Sequence, residues 1–277
     1  MTPHEFGSNT DRYLPGPEIA LTPAPREQKT TKRWTTASSL DRVVKLGPDG
    51  WEVLCPASTV LPQVEDEVTD SQRRSRAYGK GIHHWIETGE LLEEVDGVKE
   101  KWLKPALEKK IALSGVQRDD WYSGGQHEAK LLVTGPDLTE CSLLVGTDHT
   151  IWPTDPESIR VQCDFTGTHK GEPHADDLKT GRFAPLPSSA QVAVAALAVS
   201  DLNGGVGVWG SITHWPRYPL EDAPNREWHW YDRGTLDNLR LVLRMVRSDA
   251  LSGDPTVRPG PHCEYCRCKP SCPAHNF

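Results

Sequence analysis

The sequence predicts an α/β protein in which a mixed central sheet is flanked by helices. Three observations carry this. Helical patterns come first, then a run of strand-like segments, then an apolar helix, further strands and a last amphipathic helix, an order that belongs to a layered α/β architecture. Residues 188–201 are apolar on nearly every side, as a helix packed against a sheet must be. Apolar and charged fractions of 36% and 25% over 277 residues are ordinary for a globular chain with a real core.

Taken in order, residues 1–33 are rich in Pro, Thr and charge with little periodicity, and read as an extended or disordered arm before a single domain over 34–277. Ser38 or Ser39 is placed to cap a short helix running through Val44. In 69–89, Ala77, Gly81, Trp85 and Thr88 share one helical face, and Gly89 suits the C-terminal end. A second helix is expected over 99–113. Strands are expected over 128–133, 143–152, 159–163 and 175–179, with the helix of 188–201 behind them. Two more strands follow at 206–215 and 227–231, and then a final helix from Thr235 to about Leu251, with Gly253 beyond it. No repeat is present.

The net charge of −8 and pI of about 5.8 exclude binding of nucleic acid by bulk charge alone, yet suit an enzyme whose site is acidic because it holds metal ions. The segment MTPHEFGSNTDRY has no apolar run of the signal-peptide kind. The longest apolar run, residues 192–199, is far short of the roughly 20 residues of a membrane helix, so a cytoplasmic protein is expected.

Two clusters carry chemistry. Asp148 lies in LLVGTDHTIW, and Asp177 and Lys179 lie in ADDLKTG. In a strand, Asp177 and Lys179 point one way while Leu178 points into the core. If the two strands are neighbours, Asp148 joins the same face. Two carboxylates and a lysine suit phosphodiester hydrolysis: hard oxygen ligands hold magnesium or manganese, and the ammonium steadies the attacking water or the developing charge. The alternative is a surface ion pair on an edge strand. The second cluster is Cys263, Cys266, Cys268 and Cys272, four thiols within ten residues of a Pro-rich tail, a metal-binding rather than a disulfide pattern. Cys141 and Cys163 fall in strand-like segments and read as core.

The succession of a helix with GKGIHHW, a strand with Gly146-Thr147-Asp148, a strand with DLK and a helix opening at Gln191 resembles the RecB-type branch of the PD-(D/E)XK nuclease superfamily, which includes CRISPR-associated exonucleases, AddB-type nuclease domains and many phage exonucleases. The resemblance covers roughly 34–277 in motif order. It implies a restriction-endonuclease-like core with an N-terminal helical region, and a divalent-metal-dependent DNA nuclease acting as an exonuclease in DNA repair, recombination or phage DNA processing. His83 (in preference to His84), Asp148 and Asp177 match the metal ligands, Lys179 the catalytic lysine and Gln191 the residue that helps to position it, with Glu128 as a further acidic residue. Leu178 and Ala195 stand where many relatives carry Tyr.

The resemblance also implies a 4Fe–4S cluster held by Cys55, Cys263, Cys266 and Cys272, closing the two ends of the domain. Zinc on Cys263, Cys266, Cys268 and Cys272 is the alternative. The implied partners are DNA, single-stranded or with free ends, and proteins of recombination or DNA processing. A second reading is a catalytically inactive nuclease-like module that binds DNA or protein and carries a zinc-binding C-terminal tail. Arg240, Arg244 and Arg247 on the last helix, and Arg73, Arg74, Arg76 and Lys80 before His83, are candidates for phosphate contacts. Trp228 and Trp230 are candidates for stacking on bases.

Overall fold

The computed structural model describes residues 35–63, 68–95, 98–143, 157–181, 184–218 and 222–274. The arm of residues 1–33 and the segment holding Asp148 lie outside them.

The elements run β1 (Thr35–Thr36), a 3-10 helix (Ala37–Arg42), β2 (Val44–Gly47), β3 (Gly50–Val53), a 3-10 helix (Pro56–Thr59), α1 (Asp70–Thr88), β4 (Glu94–Val95), β5 (Val98–Lys99), α2 (Leu103–Ser114) and α3 (Arg118–Tyr122). There follow β6 (Gln126–Thr134), β7 (Glu140–Leu143), β8 (Ile159–His169), β9 (Glu172–Lys179), α4 (Ala190–Leu202), β10 (Val208–His214), β11 (Asn225–Tyr231), α5 (Arg233–Ala250) and two short 3-10 turns. The main sheet has the order β11-β10-β9-β8-β6-β7, with β1 beside β8. β9 and β10 run parallel, β1 and β8 run parallel, and the other neighbours are antiparallel, so the sheet is mixed as expected.

Each face of the sheet has its own core. On one, α4 packs on Leu131, Val161, Ala175 and Ile212, and α5 lies against α4 and β3. All of Ala190 to Ser200 except Gln191 is buried, so α4 is held by contact on every side. At roughly 1.5–3 kcal/mol for each fully buried Val or Leu, it is a major contributor to stability. On the other face, α1, α2 and α3 enclose Tyr78, Ile82, Trp85, Leu107, Phe165 and Trp215. Gly81 makes this possible: a Cβ there would sit 2.6 Å from Leu107 Cδ1, so only glycine lets α1 and α2 approach so closely.

Thr69 caps α1 in a capping box with Gln72, and Gly89 closes it in the left-handed conformation at φ 81. Four boundaries differ from expectation. The segment after Thr36 is a 3-10 helix ending at Arg42. α2 starts at Leu103 because Lys99 pairs with Glu94 in a small hairpin. α5 starts at Arg233 because Asp232, not Thr235, is its cap, accepting the Thr235 N–H at 2.8 Å. β8 continues past Cys163 to His169, where Lys170 (φ 53) and Gly171 (φ 84) make a two-residue turn into β9. β7 is Glu140–Leu143 and meets the strand expected over 143–152 only at Leu143, the rest of which lies outside the described residues.

The arginines of α5 hold the fold together. Arg240 binds Asp201 at 2.5 Å and the Leu138 carbonyl at 3.0 Å, Arg247 donates to the carbonyls of Gly135, Pro136 and Glu157, and Arg244 pairs with Asp137. The expected phosphate role is therefore corrected for Arg240 and Arg247, which are buried and bonded within the chain, whereas Arg244 is exposed. Arg73 is likewise held by Glu100 and Asp70, whereas Arg74 and Arg76 are exposed. No helix among the described residues is long and apolar enough to cross a membrane.

Candidate active site

The hairpin of β8 and β9 is the frame of the site. Its strands are paired from the turn to Phe165 opposite Asp176, and beyond that pair they separate. In the fork, Asp164 does not leave its carboxylate free: Oδ2 accepts the Leu178 N–H at 2.5 Å, which the strand pairing leaves open. Glu128 stands opposite Asp164 in the register of β6 on β8, with a left-handed backbone (φ 49), and its carboxylate also accepts from Gln162. A strained φ at a non-glycine residue costs energy, and such strain concentrates at functional positions.

α1 completes this corner. It passes so close to the end of β9 that a Cβ on Gly79 would lie 2.8 Å from Thr180 Oγ1. One turn further on, His83 Nδ1 lies 3.3 Å from Asp164 Oδ1 and 3.4 Å from Glu128 Oε1. The ligand atoms of His83, Glu128 and Asp164 all lie within 4.8 Å of one another, and among the described residues this is the group of three able to hold a metal ion. Burial alone would push the His83 imidazole down, but the Asp164 and Glu128 carboxylates override it and carry the group up to about 10.

Asp177 and Lys179 point into the same cleft from β9. Lys179 Nζ lies 2.6 Å from Asp177 Oδ2, and Gln191 Nε2 on α4 donates to Asp177 Oδ1 at 2.8 Å. Gln191 is held in turn, since Asp41 Oδ1 accepts the backbone N–H groups of Ala190 at 2.6 Å and Gln191 at 3.3 Å. Burial raises the Asp177 carboxyl, Lys179 draws it down and Asp164 pushes it up, leaving it at about 7. His83, Asp164, Asp177, Lys179 and Gln191 line one cavity of 370 Å³, with Arg160 and Gln162 at its wall.

A model of the PD-(D/E)XK nuclease superfamily matches residues 55–273. The chain belongs to that superfamily. PD-(D/E)XK nucleases are hydrolases of nucleic acid that use divalent metals, and His83, Glu128 and Asp164 form a group that could hold such an ion. No protein with a curated description matches the chain. Among solved structures it is similar to SSO0001, with 12% identity, 87% of each chain covered and a TM-score of 0.35. It is also similar to a candidate exonuclease from Eubacterium rectale, with 14% identity, 85% of this chain and 87% of that chain covered, and a TM-score of 0.45.

The structure of this PD-(D/E)XK protein brings together His83, Glu128, Asp177, Lys179 and Gln191, all singled out in the sequence. Asp148 lies outside the described residues. The residue that sequence reasoning missed is Asp164. The signal was there: Lys170-Gly171 is a two-residue turn, and a hairpin about that turn sets Asp164 beside Asp177.

The cysteines form a second site. The tail docks on the segment after β3, where the Ala57 N–H reaches the Thr256 carbonyl at 3.3 Å and Ser271 Oγ the Pro62 carbonyl at 2.6 Å. Cys55, Cys263, Cys266, Cys268 and Cys272 thereby line one cavity of 320 Å³. Cys268 is fully buried and its thiol donates to the Ser58 and Leu61 carbonyls at 3.3 and 3.4 Å. Burial pushes that thiol up to about 12. Cys163 is buried in the core as expected, and Cys141 is half-buried against it.

Proposed function

We propose that this chain is a divalent-metal-dependent DNA nuclease of the RecB-type branch, acting as an exonuclease in repair, recombination or phage DNA processing. The observation that supports it is the convergence of His83, Glu128 and Asp164 with the Asp177–Lys179 pair in one cleft. His83, Asp164 and Asp177 are the ligands of the reading, Glu128 is a further one, and Asp148, which lies outside the described residues, remains a proposed ligand beside them. A magnesium or manganese ion held there supplies Lewis-acid polarisation of the phosphate and a water acidic enough to attack at neutral pH.

The chain's own groups do the rest. The Leu178 N–H fixes the Asp164 carboxylate, Gln191 fixes that of Asp177, and both are oriented before substrate arrives. Lys179, 2.6 Å from Asp177, offers its ammonium to the attacking water or to the charge that develops on phosphorus oxygens. The test is incubation of the purified protein with end-labelled single- and double-stranded DNA, with manganese, magnesium or a chelator. Metal-dependent release of labelled nucleotides supports the reading. DNA left intact with either ion contradicts it.

For the tail we propose a 4Fe–4S cluster on Cys55, Cys263, Cys266 and Cys272. One observation supports it over zinc: the buried Cys268 thiol donates to the Ser58 and Leu61 carbonyls, whereas a ligand must be a thiolate. Protein purified without air should be brown, Cys55→Ala should lose the colour and thermal stability together, and Cys268→Ala should keep the colour. A colourless zinc protein damaged by Cys268→Ala would contradict the assignment.

A further inference from the structure

One end of the sheet carries an aromatic surface that the cleft does not use. Trp209 of β10 lies opposite Trp230 of β11, with ring centroids 5.2 Å apart. Two residues along β11, Trp228 stacks on His169 at 3.6 Å with an interplanar angle of 17°. His169 meets Trp209 edge-on at 5.4 Å, and Lys170 in the exposed hairpin turn holds its ammonium 5.0 Å above the Trp209 ring. Trp230 is 39% exposed, an uncommon state for the largest apolar side chain.

The ring of Trp230 is also held. It lies against Gly207, where a Cβ would collide with the indole, so only glycine at 207 lets the ring rest on the backbone. One face is floored by the chain and its neighbours. The result is a rigid aromatic shelf with a cation at its margin, the combination by which proteins stack unpaired bases and hold the adjoining phosphate.

We infer that Trp230, with Trp209, Trp228, His169 and Lys170, is an anchoring platform for single-stranded nucleic acid, separate from the cleft. The inference rests on the reading that the chain acts on nucleic acid, which supplies the occupant. The sheet gives the reach. Trp209 pairs with His174, three residues from Asp177, and Trp230 is one strand further on. Trp209 and His174 lie on the Asp176 face of the sheet, opposite Asp177, so a strand that engages both sites must pass round the end of the sheet. A strand must extend several nucleotides beyond the cleft to engage both. The platform therefore favours longer single strands and holds the substrate between successive cuts.

The experiment is equilibrium binding in chelator, where no cleavage occurs, read by fluorescence anisotropy of a labelled twelve-nucleotide oligothymidylate and a blunt duplex of equal length. Trp230→Leu, which fills the space without a stacking face, should weaken the oligothymidylate roughly 5- to 100-fold, as the loss of one stacked base implies. Trp230→Phe should recover most of the affinity, and Lys170→Gln should weaken binding with a shallower salt dependence. Duplex affinity should change less than twofold. Unchanged oligothymidylate binding in Trp230→Leu, or an equal loss for duplex, overturns the platform. Manganese-dependent hydrolysis of bis(p-nitrophenyl) phosphate by the wild-type protein, a substrate too small to span both sites, reports on the cleft alone and separates failure of the nuclease reading from failure of the platform.

Discussion

Asp176 and Asp177 are adjacent on one strand and carry the same side chain, yet they have opposite surroundings. Asp176 points into the face covered by α1 and α3. Its oxygens accept from Thr213 at 2.8 and 2.9 Å and from Ser211, and Arg226 closes on it at 3.3 Å. Arg226 is itself held by the Trp121 carbonyl at 3.1 Å and lies over the Tyr122 ring at 4.7 Å. Asp177, on the other face, has Lys179 and Gln191 as partners and borders the open cleft. A carboxylate whose every oxygen is satisfied inside the fold is structural. One held beside a cavity, with a lysine and two further carboxylates near it, is available for chemistry.

The comparison breaks most sharply under substitution. Asp177→Asn and Asp164→Asn should each reduce cleavage by more than the roughly 100-fold that loss of a ligand's supporting group costs, with the melting temperature unchanged or raised. Arg226→Ala should do the reverse. It strands the buried Asp176 charge and should cost ~3–5 kcal/mol of stability, while the fraction that remains folded cuts at the normal rate. Chemical denaturation and a cleavage assay on the same preparations check both. A stable, inactive Arg226→Ala protein would mean that the two faces are not separate.

A smaller effect lies in pH. In chelator-treated protein the Asp177 carboxyl stands at about 7 against an ordinary 3.8, so the native state binds more protons than the unfolded one and stability falls as pH rises through that window. His83, raised from 6.5 to about 10, contributes stability that is complete below 6.5 and is lost as pH climbs toward 10. Both slopes run the same way. The melting temperature without metal should fall between about pH 5 and about pH 9, and Asp177→Asn and His83→Gln should each flatten the fall. Added manganese should stabilise more at the alkaline end, because it needs both groups deprotonated.

Much of this was legible in the sequence. The apolar helix of α4, the capped helix carrying His83, and the DLK strand were all marked by periodicity and by their end residues, and four of the five side chains assembled in the cleft followed from them. Asp164 did not. The reading stopped β8 at Cys163, although the alternation of apolar and polar residues runs on through Phe165 and Thr166 and ends only at Gly167. The arginines of α5 misled for the opposite reason: helical spacing shows that they share a face, but not that Asp201 and three backbone carbonyls are waiting beside it. The tryptophans of β10 and β11 were legible as residues but not as a surface, since cross-strand register decides which of them meet.

The account's central claim is that Asp164 joins His83 and Asp177 in holding a divalent ion. Calorimetric titration of manganese into the purified protein tests it most directly, with Asp164→Asn, Asp148→Asn and Lys179→Ala measured beside the wild type. The account predicts that the wild type binds manganese, that Lys179→Ala binds it as well while cutting roughly 100- to 1,000-fold more slowly, and that Asp164→Asn does not bind it. The titration of Asp148→Asn shows whether a further acidic group contributes. Wild-type manganese affinity in Asp164→Asn would contradict the claim.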